Sequence, residues 1–197
     1  MHMVLHPLSG RLLVLAPFLL LGCGLFEPRS PEAPTGPGSN NRPATDASIV
    51  MDNLQTAIEE RNELNYASCL STPLAGNGRP FSFTPSRDVG AVYASVFSDW
   101  SVLNEQEYFH NLFATNSSFS NLTLTLKNSL VTADSVLYSY DYTLTCVHAN
   151  TPVTARGSLQ FTLATDDRGI WSIFRWIDYS LPTNDMTWSQ LKASYVN

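Results

Sequence analysis

The fold of this chain is decided by the stretch Val136–Cys146, whose sequence is VLYSYDYTLTC. Apolar and polar residues alternate along it, which is the period of a β-strand with one buried face. The polar face carries Ser139, Asp141, Thr143 and Thr145. The predicted buried face comprises Val136, Tyr138, Tyr140, Tyr142, Leu144 and Cys146.

Three more segments alternate in the same way, at residues 122–126, 159–163 and 171–179. The run Asp166-Asp167-Arg168-Gly169 is typical of a hairpin turn. The last segment places Trp171, Ile173, Ile177 and Tyr179 on one face and Phe174, Trp176 and Asp178 on the other. These patterns predict four long antiparallel strands.

Helical patterns precede the strands. Thr45 or Asp46 can cap a first helix, whose apolar face is Val50, Leu54, Ala57 and Ile58. A second helical turn is expected over residues 64–70, a short strand over 81–84, and residues 86–100 fit a helical face that Gly90 weakens. A further helix is expected to begin at Asn104, with Glu107 completing a capping box and Leu103 packing on Tyr108. Thr187 is expected to cap a short C-terminal helix. Helices followed by strands favour the α+β class.

This order resembles the NTF2-like (SnoaL-like) cone fold. The resemblance is carried by the ending Ile170–Asp178, which has the form Trp-x-Ile-x-x-Trp-x-Asp, and by the short Phe-x-Phe strand before it. The tail Trp188–Lys192 is similar to that of envelope lipoproteins of this type. The resemblance implies N-terminal helices packed on a curved antiparallel sheet around a pocket. A lipocalin-like or other antiparallel β fold is the alternative.

The N-terminus has the pattern of a targeting segment. A run of apolar residues, Leu12–Leu21, is too short to span a membrane. It ends in Leu20-Leu21-Gly22-Cys23, which resembles the bacterial lipobox. That resemblance implies a lipoprotein signal peptide over residues 1–22 and acylation, including palmitate, at Cys23. An ordinary signal peptide with a chance cysteine is the alternative.

The mature chain is expected to have two parts. Residues 23–45 comprise the lipidated cysteine and a flexible linker that holds five of the twelve prolines, and residues 46–197 form the single domain. Gly24 is not the Asp that tends to retain lipoproteins in the inner membrane, so the outer membrane is favoured. The protein is expected to face the periplasm or the cell surface.

Composition limits the function classes. The formal net charge of −6 argues against nucleic acid as a partner. The sequence has no glycine-rich phosphate loop and no nucleophile motif, so no cofactor is expected. His110 and His148 stand alone, without the paired His or Cys spacing of a zinc site, so no metal is expected either.

Asp141 and Asp178 are the candidates for acid–base catalysis, since each lies mid-strand. Tyr138, Tyr140 and Tyr142 could supply a hydroxyl or, with Trp176 and His110, line a pocket. The alternatives are a solvated Asp141, an Asp178 paired with an Arg or a backbone N–H, and a tyrosine stripe that is simply core. Asp141 cannot share a pocket with the tyrosines through that strand alone, because strand side chains alternate.

Besides Cys23, the chain has Cys69 and Cys146. An oxidising compartment permits a disulfide between them, and two buried thiols are the alternative.

The function expected is therefore that of a non-catalytic envelope lipoprotein that binds a small apolar ligand or a protein partner. One alternative is an isomerase-like or dehydratase-like enzyme acting on a hydrophobic substrate through Asp178 or Asp141. Another is a structural or homodimerising module of an envelope complex.

Overall fold

The computed structural model describes residues 40–72, 79–114 and 117–196. The predicted signal peptide, Cys23 and most of the predicted linker lie outside these residues. The helices are α1 (Ala47–Glu59), α2 (Glu63–Ser68), α3 (Arg87–Val92), α4 (Ala94–Phe97), α5 (Val102–Phe113) and α6 (Trp188–Tyr195). The strands are β1 (Ser82–Thr84), β2 (Ser120–Val131), β3 (Val136–His148), β4 (Thr151–Thr165) and β5 (Trp171–Tyr179).

The first helix begins where its cap was predicted. The side chain of Asp46 accepts a hydrogen bond from the backbone N of Ser48 at 2.8 Å, which satisfies one of the free N–H groups of the first turn. Residues before 46, in the segment predicted to be the linker, also contact the domain. The backbone N of Arg42 donates to Asn53 at 3.0 Å, and Ala44 is buried.

Helix α5 begins three residues earlier than predicted. Its cap is Ser101 rather than Asn104, and Asn104 accepts a hydrogen bond from the Ser101 backbone N at 2.9 Å. The earlier start removes the expected packing of Leu103, which is 75% exposed. Tyr108, Phe109 and Leu112 are all buried and form the apolar face of the helix.

The five strands form one sheet in the order β1-β5-β4-β3-β2. β1 pairs with β5 in parallel, and the other pairs are antiparallel. The inner face of β3 is as predicted, because Tyr140, Tyr142, Leu144 and Cys146 are buried and Tyr138 is half-buried. The α+β class with helices on a curved sheet is confirmed.

The alternation predicted for β5 is broken. The register shifts between Thr162 and Leu163 on β4, and a bulge changes which neighbouring residues face the core. Ile173, Trp176 and Asp178 are therefore all buried on β5, although the sequence placed Ile173 on the opposite face from the other two.

Candidate functional site

The space between the sheet and the helices holds a cluster of buried polar and aromatic side chains, here called the interior cluster. It is built from three helices (α2, α5 and α6), three strands (β1, β3 and β5) and the segment before α5. Its members are Tyr66, Phe83, Trp100, Glu105, Tyr108, Tyr142, Trp176, Asp178, Trp188 and Lys192.

An ion pair lies at the centre of the interior cluster. Lys192 of α6 donates through Nζ to Oε1 of Glu105 on α5, and both side chains have zero exposure. Tyr66 donates to Oε2 of the same carboxylate at 2.7 Å, and the Trp100 indole donates to Oε1 at 2.7 Å. The Glu105 carboxylate thus has three donors, which offset the cost of removing it from water.

Aromatic rings surround the ammonium group of Lys192. Its Nζ lies 3.4 Å from the ring centroid of Trp176 and 3.7 Å from that of Phe83, which is within the range of cation–π attraction. Burial lowers the pKa of Lys192 to about 8, although the charges of Glu105 and Asp178 act in the opposite direction. The Glu105 carboxylate in contact with Nζ favours the charged ammonium form of Lys192.

Asp178 accepts hydrogen bonds on both of its oxygens. Tyr142 donates to Oδ1 at 2.8 Å, and the backbone N of Ser189 donates to Oδ2 at 2.7 Å together with the Ser189 hydroxyl. Burial raises the pKa of Asp178 above its usual value, while the hydrogen bonds from Ser189 and Tyr142 and the charge of Lys192 lower it.

Gly157 allows Tyr142 to reach Asp178. Tyr142 on β3 pairs with Gly157 on β4, and Asp178 is on the next strand, β5. A Cβ at residue 157 would lie 2.5 Å from the Tyr142 hydroxyl and 2.7 Å from the Tyr179 carbonyl oxygen. The tyrosine therefore crosses over β4 where no side chain stands in its way.

Helix α6 fills the interior. Thr187 caps it by accepting from the Gln190 backbone N, as predicted. The Trp188 backbone N donates to the Tyr142 hydroxyl at 2.7 Å, and the Trp188 indole donates to the Tyr108 hydroxyl at 2.9 Å. Five of the eight residues of α6 are buried: Trp188, Ser189, Leu191, Lys192 and Ala193.

The structure separates the two predicted carboxylates. Asp178 is buried and bonded to a backbone N–H, which is one of the alternatives that the sequence allowed. Asp141 lies on the opposite face of the sheet, 41% exposed, with its Oδ2 2.8 Å from the Nζ of Lys127. Asp141 therefore does not contribute to the interior cluster.

The structure also divides the predicted pocket residues. Tyr142 and Trp176 belong to the interior cluster. His110 does not, because its side chain is 64% exposed and lies 3.2 Å from Glu63.

Tyr138 and Tyr140 lie nearer the start of β3 than Tyr142 does. Tyr140 packs on Phe161, with ring centroids 6.4 Å apart. Tyr138 lines a surface groove of about 380 Å³ with Asp46, Val131 and Trp171. Another groove of about 520 Å³ lies between the end of α2 and the β4–β5 turn. No member of the interior cluster lines either groove.

The disulfide that the sequence allowed is not formed: Cys69 and Cys146 are both buried free thiols. The backbone N of Ile173 donates a hydrogen bond to the carbonyl oxygen of Cys69, and Ile173 pairs with Leu163 on β4. Cys146, in contrast, pairs with Val153 on β4. These partners lie ten residues apart along β4, and a disulfide requires Cα atoms within about 7 Å. Burial raises the pKa of the Cys69 thiol to about 12 and that of Cys146 to about 11.

Neither a metal centre nor a membrane-spanning helix is found among the residues that the structure describes. No group of three or more His, Cys, Asp and Glu side chains is placed there to hold a metal ion. None of the described helices is long and apolar enough to cross a membrane.

Sequence reasoning missed Glu105 and Lys192. Glu105 precedes Tyr108, Phe109 and Leu112 at spacings of three, four and seven, so it begins the apolar face of α5. Lys192 follows Trp188 by four residues on α6. In each helix, the signal in the sequence was a charged residue at a position of the apolar face. Nothing in the sequence showed that Glu105 and Lys192 contact each other.

No protein-family model matches the sequence, and no curated protein matches it. Solved structures do match. A proposed dehydratase of the NTF2-like family from Streptomyces avermitilis aligns over 70% of this chain and 95% of its own, with a TM-score of 0.53 and 12% identity.

Two further structures align comparably. A protein of unknown function from Mycobacterium tuberculosis matches 76% of this chain and 83% of its own, with a TM-score of 0.51 and 13% identity. A proposed aromatic ring hydroxylase from Novosphingobium aromaticivorans matches 74% and 92%, with a TM-score of 0.50 and 17% identity. At these identities the likeness concerns the fold, and the chain has the NTF2-like cone fold.

Proposed function

We propose that this protein is an envelope lipoprotein, anchored through lipid on Cys23, whose NTF2-like domain is a non-catalytic module that binds a protein partner. The carrying observation is the filled interior. Trp176, Trp188 and Lys192 have zero exposure there, in the space where the cone fold can keep a pocket. A module with a filled interior would act through its surface.

The surface supports a protein partner more than a small apolar ligand. β2 is an edge strand, because it pairs with β3 on one side only. Leu126, Leu130 and Val131, in its second half, are 52%, 56% and 72% exposed. An exposed apolar edge strand is a template for pairing with another chain.

The middle of the outer sheet face gives less support to a homodimer formed through that face. Asp141 and Thr143 lie there on β3, opposite Ser158 and Arg156 on β4. A stable interface usually has an apolar centre. The structural role therefore stands as a weaker alternative.

The enzyme alternative rests on one observation, the buried Asp178 bonded to Tyr142. A carboxyl with a raised pKa next to a tyrosine hydroxyl is an arrangement used in acid–base catalysis. Here, however, the backbone N–H groups of Trp188 and Ser189 on α6 donate hydrogen bonds to the Tyr142 hydroxyl and to Asp178. Catalysis would require α6 to leave, so the non-catalytic function is the better supported.

Metabolic labelling tests the anchor. The chain expressed with its own N-terminus in a bacterial host is expected to incorporate an alkyne-labelled palmitate and to fractionate with the outer membrane. A Cys23→Ala variant should lose the label, whereas the matched Cys69→Ala variant should keep it. Label that persists in Cys23→Ala would refute lipidation at this residue.

Site-specific photo-crosslinking tests the partner surface. A photoreactive phenylalanine analogue at residue 130 is expected to crosslink the chain to one other envelope protein, which gives a single product of higher mass. The matched control is residue 64, a leucine of α2 that is 77% exposed. The product should disappear when Leu126 is also changed to Asp. Equal products from residues 130 and 64, or none from 130, would count against the proposal.

A further inference from the structure

We propose that the interior of the cone is a recognition site for a primary alkylammonium group, in which the chain's own Lys192 is the resident occupant. The proposal goes beyond the partner-binding function, since it concerns the inside of the domain rather than its surface. It rests on the arrangement of the groups around Lys192.

The groups that contact the ammonium come from elements other than α6. Phe83 is on β1, Trp176 on β5 and Glu105 on α5. They supply two aromatic faces, at 3.7 Å and 3.4 Å from Nζ to the ring centroids, and one carboxylate. Aromatic faces combined with an anion are the means by which proteins recognise ammonium ions. The recognising groups therefore stay on the rest of the domain when the lysine side chain is removed.

The site is held in shape by its own contacts. Tyr66 and Trp100 donate to the Glu105 carboxylate and fix its position. Phe83 packs against Trp176 in an edge-on contact, with centroids 5.5 Å apart. The carboxylate and the two rings thus stay oriented toward one point without help from Lys192.

The charges near the site favour a cation. Glu105 contacts Lys192 directly, and Asp178 acts on it through space. Removing the lysine would leave the buried Glu105 carboxylate with hydrogen-bond donors but without its cation.

The test uses a Lys192→Ala variant of the full-length chain, purified in non-ionic detergent. Alanine keeps Cβ, so the lost atoms correspond to propylammonium, which is the probe. Propylammonium is expected to raise the variant's unfolding temperature and to bind about tenfold more tightly than neutral propan-1-ol of similar shape. Wild type should show no such stabilisation, because Lys192 occupies the site.

Two variants serve as controls. Lys192→Met fills the space with an apolar chain and should not respond to propylammonium. Glu105→Gln added to Lys192→Ala should abolish the preference for propylammonium over propan-1-ol. Equal stabilisation of Lys192→Ala by both probes, or by neither, would overturn the proposal, as would equal stabilisation of wild type by propylammonium.

A Lys192→Ala variant that does not fold unaided still decides the question. In that case the unfolded variant is refolded with each probe and followed by near-ultraviolet circular dichroism. Recovery of the native signal with propylammonium and not with propan-1-ol supports the site. Recovery with both, or with neither, overturns it.

Discussion

Substitutions at Glu105 and Lys192 should show how much the buried ion pair contributes to the free energy of unfolding. Glu105→Gln leaves the Lys192 ammonium buried without a carboxylate in contact, and Lys192→Met leaves the Glu105 carboxylate buried without a cation. Both side chains have zero exposure. Removing one partner of such a pair typically costs about 3–5 kcal/mol of unfolding free energy.

Coulomb's law gives a similar magnitude. Two unit charges ~3 Å apart in an effective dielectric of ~20 attract by about 5 kcal/mol. The double variant Glu105→Gln/Lys192→Met removes both charges and nearly keeps both volumes. A glutamine can still accept from Trp100 and contact the Tyr66 hydroxyl. We therefore expect the double variant to lie within about 2 kcal/mol of wild type.

The assay is urea unfolding of the four chains at pH 7, followed by tryptophan fluorescence and far-ultraviolet circular dichroism. The predicted result is a strong coupling, with the double variant more stable than either single variant. Additive costs, with a coupling below about 0.5 kcal/mol, would refute the reasoning. They would mean that the ammonium and the carboxylate do not form a buried pair.

The structure leads to three further predictions. Because burial lowers the pKa of Lys192 to about 8, below its ordinary 10.5, the stability of wild type relative to Lys192→Met should rise with pH between about 8 and 10.5; a difference in unfolding free energy that is flat or falling over that range would contradict this. Gly157→Ala should displace the Tyr142 hydroxyl, which a new Cβ would approach to 2.5 Å, and should lower the unfolding free energy by about 1–3 kcal/mol, whereas a variant as stable as wild type would argue against the close approach. Unreduced, denatured protein should show free thiols at both Cys69 and Cys146 by mass spectrometry after alkylation, and a bridged peptide would contradict the structure.

The sequence predicted the local elements well, because each is set by nearby residues. Asp46 and Thr187 cap their helices as expected, since a cap involves only the next few backbone N–H groups. The buried face of β3 followed from strict alternation. The start of α5 was misplaced because Asn104 can act either as the cap or, as here, as the third residue of a helix capped at Ser101.

The interior was harder to predict, because it depends on contacts between distant residues. Glu105 and Lys192 are 87 residues apart in the chain, and neither alone predicts an ion pair. The role of Gly157 depends on which residue of β3 it faces, and that register is a property of the assembled sheet. His110 was a candidate pocket residue, but it is exposed although its neighbour Phe109 is buried, because adjacent residues on a helix point in different directions.

Amide hydrogen exchange at the N-terminus of α6 tests most directly whether this helix closes the interior of the cone. The backbone N–H of Trp188 is bonded to Tyr142, and that of Ser189 to Asp178. If α6 is an integral part of the core, both amides should exchange only through global unfolding, with exchange free energies within about 1 kcal/mol of the denaturant value. Exchange at a free energy more than about 3 kcal/mol lower would mean that α6 opens while the rest of the domain stays folded, and that result would contradict a permanently filled interior.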